Sequence, residues 1–312
     1  MTRKTLSILL TAVLVLTLLL IGCNNKNGSG DGDGSTDTQA STTAISVTDM
    51  AGRTVTLDKP AEKVVVLTAS TCEIVYALGA GSTVVGRGEY CDWPQEALEK
   101  PVVSSGVETN IEQIIALQPD LVLMTVMSQS PEQVSQLENA GIKVYASDAQ
   151  DIIGTYESIL QIGQLLGKDE KAQTIVDDMK QIFDALSAEK VSGTVYFEVS
   201  PLEYGLWTAG NNTFMNEVSE MIGLTNIFAD LDGWAEVSEE QVLQRNPDYI
   251  VTVGMYFGVG LTPTDEIMSR TSWQNVTAVQ YGRILNLTNN ELSRPGPRLA
   301  EGARALYDFV SE

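Results

Sequence analysis

Asn110-Ile-Glu-Gln-Ile-Ile-Ala-Leu-Gln-Pro-Asp120 leads into the apolar run Leu121-Val-Leu-Met-Thr125, and 128 residues later Ser238-Glu-Glu-Gln-Val-Leu-Gln-Arg-Asn-Pro-Asp248 leads into Tyr249-Ile-Val-Thr-Val253. In each copy an N-cap residue (Asn110, Ser238) is followed three places on by Gln (Gln113, Gln241), the spacing of a capping box. Pro-Asp then ends the helix, because the residue before a proline is pushed out of the helical conformation, and a strand follows. An offset of 128 is too long for a solenoid repeat and suits a lobe with its own core. The pattern predicts a duplicated α/β body.

The flanking sequence extends both units. Lys63–Thr68 reads as a buried strand, Ser70–Leu78 as a helix stopped by Gly79, and a further strand lies near Val84. After the first repeat come a helix over Pro131–Ala140 and a strand over Lys143–Ala146. Residues 151–166 and 169–189 are helical, the second with apolar positions at Ile175, Met179, Ile182, Phe183 and Leu186, a span of about 30 Å that can tie two lobes stiffly. The second unit reads strand Thr194–Val199, helix Asn212–Ile222, second repeat, strand Tyr249–Val253, strand Arg283–Leu287 and helix Pro297–Val310. Strands alternating with helices at this spacing call for parallel sheets.

The first 22 residues have the charge and apolar length of a secretory signal, with Arg3 and Lys4 ahead of an uncharged run from Leu6 to Ile21. They end Leu20-Ile21-Gly22-Cys23, which resembles the lipobox of bacterial lipoproteins and implies a diacylated Cys23 holding the protein to the outer face of the cell membrane. Residues 23–44 read as the anchor and a polar tether. The expected divisions are then 45–150 for the first lobe, 151–190 for the helical connection and 191–312 for the second lobe. The whole chain carries −22, and loss of the signal removes two cations and no acid, leaving −24. Nucleic acid would repel such a body. No histidine is present, which excludes Ser-His-Asp and Cys-His nucleophiles and His-based zinc sites. Cys72 and Cys91 are either a disulfide or two buried thiols.

Ligands of α/β proteins bind in loops beyond the carboxyl ends of parallel strands. Tyr90, Trp93, Trp207, Trp234, Met255, Tyr256, Phe257 and Arg294 fall in such predicted loops. They suit a large, flat, partly apolar ligand, or else they close off hydrophobic cores.

Taken in order, the repeats, Tyr90-Cys-Asp-Trp-Pro94, Trp234 and Arg294-Pro-Gly-Pro-Arg298 resemble the iron-complex and vitamin B12 substrate-binding proteins of ABC importers, from about Ile45 onward. The resemblance implies a class III periplasmic-binding-protein architecture, two Rossmann-like lobes joined by one long helix. It implies a monomer that performs no reaction, carries no cofactor of its own and delivers a metal chelate to a permease dimer with its ATPase subunits. Glu112 and Glu240 match the positions that dock with the permease in that family, with Glu239 as a neighbour able to share the role; by themselves they are also ordinary first-turn acids favouring the helix dipole. Ser70, Tyr90, Trp93, Trp207, Trp234, Tyr256, Asn290 and Arg294 match the ligand site. An aromatic expected before the first repeat is replaced near Gly106, and an acid expected before Arg294 appears as Asn290. A corrinoid carrying its own cobalt is the first expectation for the ligand. A ferric siderophore carrying its iron, or haem with Met124, Met127, Met255 or Tyr256 as axial ligand, stands beside it. A secreted carboxylate-dependent hydrolase and a scaffolding lipoprotein are the readings from other classes.

Overall fold

A hairpin that the sequence did not announce, β1 (Ile45–Thr48) and β2 (Thr54–Leu57), opens the described chain. The computed structural model describes residues 44–312 apart from 106–108, 127–129, 254–259 and 288–289. Cys23, Gly106, Met127, Met255, Tyr256 and Phe257 lie outside the described residues.

The first lobe runs β3 (Val64–Val66), α1 (Ala69–Ala77), β4 (Val84–Arg87), α2 (Ile111–Ala116), β5 (Leu121–Thr125), α3 (Pro131–Asn139) and β6 (Lys143–Ser147). Its strands are all parallel, in the order β4-β3-β5-β6. Two connecting helices follow, α4 (Ile152–Leu165) and α5 (Asp169–Ala188). The second lobe contains β7 (Thr194–Glu198), β8 (Leu206–Ala209), α6 (Phe214–Ile222), β9 (Thr225–Asn226), β10 (Trp234–Val237), α7 (Glu239–Arg245), β11 (Tyr249–Thr252), α8 (Pro263–Ser269), α9 (Thr277–Gln280), β12 (Ile284–Asn286) and α10 (Leu299–Ser311). Its parallel sheet has the order β9-β7-β11-β12, while β8 and β10 pair separately as an antiparallel ribbon. Counted by appearance within each parallel sheet, both lobes have strand order 2-1-3-4. The duplication seen in the sequence is thus a duplication of topology.

The repeated Pro-Asp explains how each sheet is assembled. Asp120 accepts the amides of Glu62 and Lys63, both at 2.9 Å, just before β3. Asp248 does the same at β7, accepting the Thr194 amide and hydroxyl at 2.8 Å each. In both lobes the carboxylate at the head of the third strand fixes the head of the first. Gln118 and Asn246, each just before the proline, take positive φ (50° and 43°), which turns the chain from helix into strand. The capping box is complete at Ser238 and Gln241. At the first repeat Asn110 still caps Gln113, but the Gln113 side chain binds the Val102 carbonyl instead, because the Asn110 amide is already given to Ser104.

Both faces of each parallel sheet are covered, so the central strands carry runs of apolar residues such as Val64–Val66, 121–124 and 250–251. Val65, Val122 and Val144 face one core of the first lobe, and Tyr196 and Ile250 face one core of the second. The opposite faces belong to a single core that includes Val64 and Leu123 of the first sheet, Ile159 and Ile162 of α4, Val176 and Met179 of α5, Phe197 and Val251 of the second sheet, and Leu306 of α10. The connection is therefore a packed pair of helices, with the 20-residue α5 as its long member. Among the described residues no helix is long and apolar enough to cross a membrane.

Replacing Asp248 by Ala should cost about 1–2 kcal/mol, and Asp120 by Ala a similar amount, because each substitution removes bonds from a charged acceptor. Urea denaturation would measure both through a lowered midpoint at unchanged slope.

Candidate functional site

The first group of candidate residues is placed by a close backbone crossing. The Gly88 amide donates to the Val66 carbonyl at 2.7 Å, and a Cβ at Gly88 would lie 2.4 Å from the Leu67 carbonyl oxygen. Only glycine allows that approach. It delivers the loop after β4 to the carboxyl end of the sheet, where Tyr90 is 64% and Trp93 43% exposed. Ser70, in the first turn of α1, is buried, and Gly296 of the C-terminal segment passes close to its carbonyl.

One turn further along α1 lies Glu73, buried and charged. Its carboxylate accepts Nη1 of Arg294 at 2.9 Å, and Nε and Nη2 of Arg298 at 2.9 and 2.7 Å. Arg294 Nη1 also donates to Asp92 at 2.6 Å, and its Nη2 lies 3.5 Å from the Tyr90 carbonyl. Burial pulls the Arg294 pKa down, but the hydrogen bonds to Asp92 and Glu73 outweigh it and leave the guanidinium more firmly charged than usual. Arg298 stacks over the Trp93 ring at 4.4 Å. The structure thus brings Ser70, Tyr90, Trp93 and Arg294 together, around a cluster whose two carboxylates balance its two guanidinium groups.

The second group of candidate residues lies on the ribbon. Trp207 pairs with Glu236, two residues from Trp234, so both tryptophans project from the same face, while Leu206, Thr208 and Val237 face the core. Trp207 is 40% exposed. Trp234 packs edge-on against Phe214 at 5.4 Å, and its indole nitrogen donates across to Gln150, just past β6, at 3.3 Å. Both residues were expected in loops. They lie on strands of only four residues, next to Gly205, Gly210 and Gly233, too short to carry a readable alternation. Asn290 takes φ 62° and its side-chain and backbone oxygens accept the Ser293 hydroxyl, so in this structure it shapes the turn leading to Arg294.

Glu112 and Glu240 are both exposed and both occupy the second helical position, after Asn110 and Ser238. A helix that feeds a parallel strand starts at the carboxyl end of the sheet, so each glutamate lies at the same end of its lobe as the ligand loops. Its own backbone amide, then the Ser238 hydroxyl, hold the Glu240 carboxyl below the ordinary glutamate range. Glu239 is turned inward instead, accepting the Trp273 indole at 2.9 Å and the Ser272 hydroxyl at 3.0 Å.

The sequence profile of the periplasmic binding proteins matches residues 64–291, covering both sheets and both repeats. The chain belongs to the periplasmic binding protein family. This binding protein is 34% identical over 275 residues to an uncharacterized ABC transporter substrate-binding lipoprotein of Bacillus subtilis, covering 85% of each chain. It is 31% identical to the vitamin B12-binding protein of Salmonella choleraesuis, covering 81% of this chain and 91% of that one. Its fold superposes on the crystal structure of the periplasmic vitamin B12 binding protein of Vibrio cholerae with TM-score 0.68 at 27% identity, over 81% of this chain and 97% of that one. Family members are substrate-binding transport proteins rather than enzymes.

Sequence reasoning missed Glu73, Gln150 and the partners of Arg298 in this binding protein. Glu73 carries a faint signal, a single acid inside the otherwise uncharged Ala69-Ser-Thr-Cys-Glu-Ile-Val-Tyr-Ala77. Its partners are more than 220 residues away.

Glu73→Gln leaves two largely buried guanidinium groups without their shared carboxylate and should cost about 3 kcal/mol, read from the denaturant midpoint. Carboxyl NMR titration should place the Glu240 midpoint below that of ordinary glutamates, and Ser238→Ala should move it upward.

Proposed function

We propose that the protein is the lipid-anchored receptor of an ABC importer, held at Cys23 on the outer face of the membrane, and that it captures a corrinoid between its two lobes. The observation that carries this reading is the pairing of exposed aromatic rings with arginines that are already neutralised. Tyr90 and Trp93 on one lobe and Trp207 on the other offer flat apolar faces, while Arg294 is balanced by Glu73 and Asp92. Such a cleft suits a bulky chelate of low net charge. A strongly anionic ferric siderophore would require arginines free to meet it, and would first have to displace Asp92. The relatives that bind vitamin B12 support the same choice. Haem loses one conceivable axial ligand, because Met124 lies 1% exposed in the first-lobe core.

Carboxylates do meet elsewhere. Asp151, Glu217 and Glu220 line a polar pocket of about 240 Å³. Each of them serves the fold: Asp151 caps α4 at Gly154, Glu217 accepts the Ile152 amide, and Glu220 accepts the Asn216 amide group. Glu73 and Asp92 are likewise committed to arginines. These commitments favour binding over the hydrolase reading.

Docking to the permease rests on Glu112 and Glu240, one exposed carboxylate at the same helical position in each lobe of a duplicated scaffold. A pseudo-symmetric pair of permease subunits could meet them through charge-assisted contacts.

Titrating the body from Thr43 onward with cyanocobalamin, haemin and ferric siderophores should give one-to-one quenching of tryptophan fluorescence by the corrinoid; no response to any corrinoid refutes the ligand. Glu112→Arg and Glu240→Arg should each reduce uptake about tenfold or more, the loss of roughly 1.4 kcal/mol of docking energy, while leaving that titration unchanged. Unchanged uptake would refute the docking role.

A further inference from the structure

Cys72 and Cys91 are fully buried, and nothing in the transport reading uses them. Cys72 sits in the middle of α1, and Cys91 in the loop after β4. Each thiol reaches the other's segment. Cys72 Sγ lies 3.7 Å from the carbonyl oxygen of Trp93, two residues past Cys91; Cys91 Sγ lies 3.5 Å from the carbonyl oxygen of Val66, in the strand that leads into α1. The neighbouring Cys91 thiol, and then burial, pushes the Cys72 thiol up.

A third group completes the cluster. Arg87, at the end of β4, is 7% exposed, gives Nη1 to the Gly88 and Glu89 carbonyls, and among the described residues has no partner for Nε. Its charge draws Cys72 toward the thiolate, but by less than Cys91, burial and Glu73 push it the other way.

We propose that Cys72 and Cys91 are joined by a disulfide in the exported protein, pinning the loop that bears Tyr90, Asp92 and Trp93 to the helix that bears Ser70 and Glu73. Both are free thiols in this structure. The oxidant is the disulfide of an extracytoplasmic thiol oxidoreductase. One cysteine thiolate attacks it, forming a mixed disulfide and releasing one thiol of the oxidant. The second cysteine, having lost its proton to water, attacks the mixed disulfide, forms the Cys72–Cys91 bond and expels the oxidant's other thiol. Two electrons and two protons leave the cysteines, and the oxidant ends as a dithiol. Because neither sulfur is exposed after folding, the exchange takes place before α1 closes over the loop. The bond then orders one wall of the cleft before any ligand arrives.

The test uses the full chain, exported and purified without reductant. Iodoacetamide is added in denaturant before and after reduction, with peptide mapping at the two positions. The expected result is no label at Cys72 or Cys91 before reduction and complete label after it. Reductant should also lower the Tm of the wild type by about 5 °C and leave that of the Cys72→Ser/Cys91→Ser double variant where it was. Full labelling of both residues before reduction, or a wild-type Tm insensitive to reductant, overturns the proposal. Neither readout involves a ligand, so both stand apart from the corrinoid reading.

Discussion

A single buried carboxylate, that of Glu73, holds the two ends of this molecule to each other. It neutralises Arg294 and Arg298, both in the segment that leads from the last strand into α10. Removing either charge type from the cluster leaves the other stranded in a low-dielectric setting, which is why the C-terminal segment returns to the first lobe after more than two hundred residues. The geometry of the loop after β4 follows. Trp93 lies under Arg298, Asp92 and the Tyr90 carbonyl lie against Arg294, and the exposed ring of Tyr90 is carried beside them.

The features legible in the sequence are those set by local chemistry. A cap followed by Gln and a later Pro-Asp act within a dozen residues, so both repeated units could be read directly, and with them the α/β class and the doubling. The equivalence of Asp120 and Asp248 as strand staples adds a reason for the repetition that the pattern alone did not supply. What stayed hidden depends on distant partners or on very short elements. The ribbon bearing Trp207 and Trp234 has four residues in each strand. Glu73 looks like a stray acid in a core helix until Arg294 and Arg298 are brought to it. Asn290 drew attention as a stand-in for an acid, yet its positive φ and its bonds from Ser293 give it work in a turn.

Duplication also separates two kinds of acid. Within the second repeat, adjacent glutamates have opposite fates: Glu239 is drawn into the lobe by the indole of Trp273, and Glu240 is left facing solvent. The first repeat has Ile111 where the second has Glu239, so in the first helical turn of each copy one position, Glu112 or Glu240, is both acidic and exposed. That position is the one proposed for docking. The strongly negative body around it favours a partner with basic pockets and disfavours polyanions.

The lobes share more than a linker. Val64 from the first sheet, Phe197 from the second and Leu306 from the last helix belong to one continuous interior, cemented by α4 and α5. Neither half can therefore be melted while the other keeps its full core, because each lobe covers apolar surface of the shared interior. A chain in which one lobe alone had formed would leave the apolar face of α4 and α5 meant for the other lobe open to water, so the packing itself penalises half-built copies.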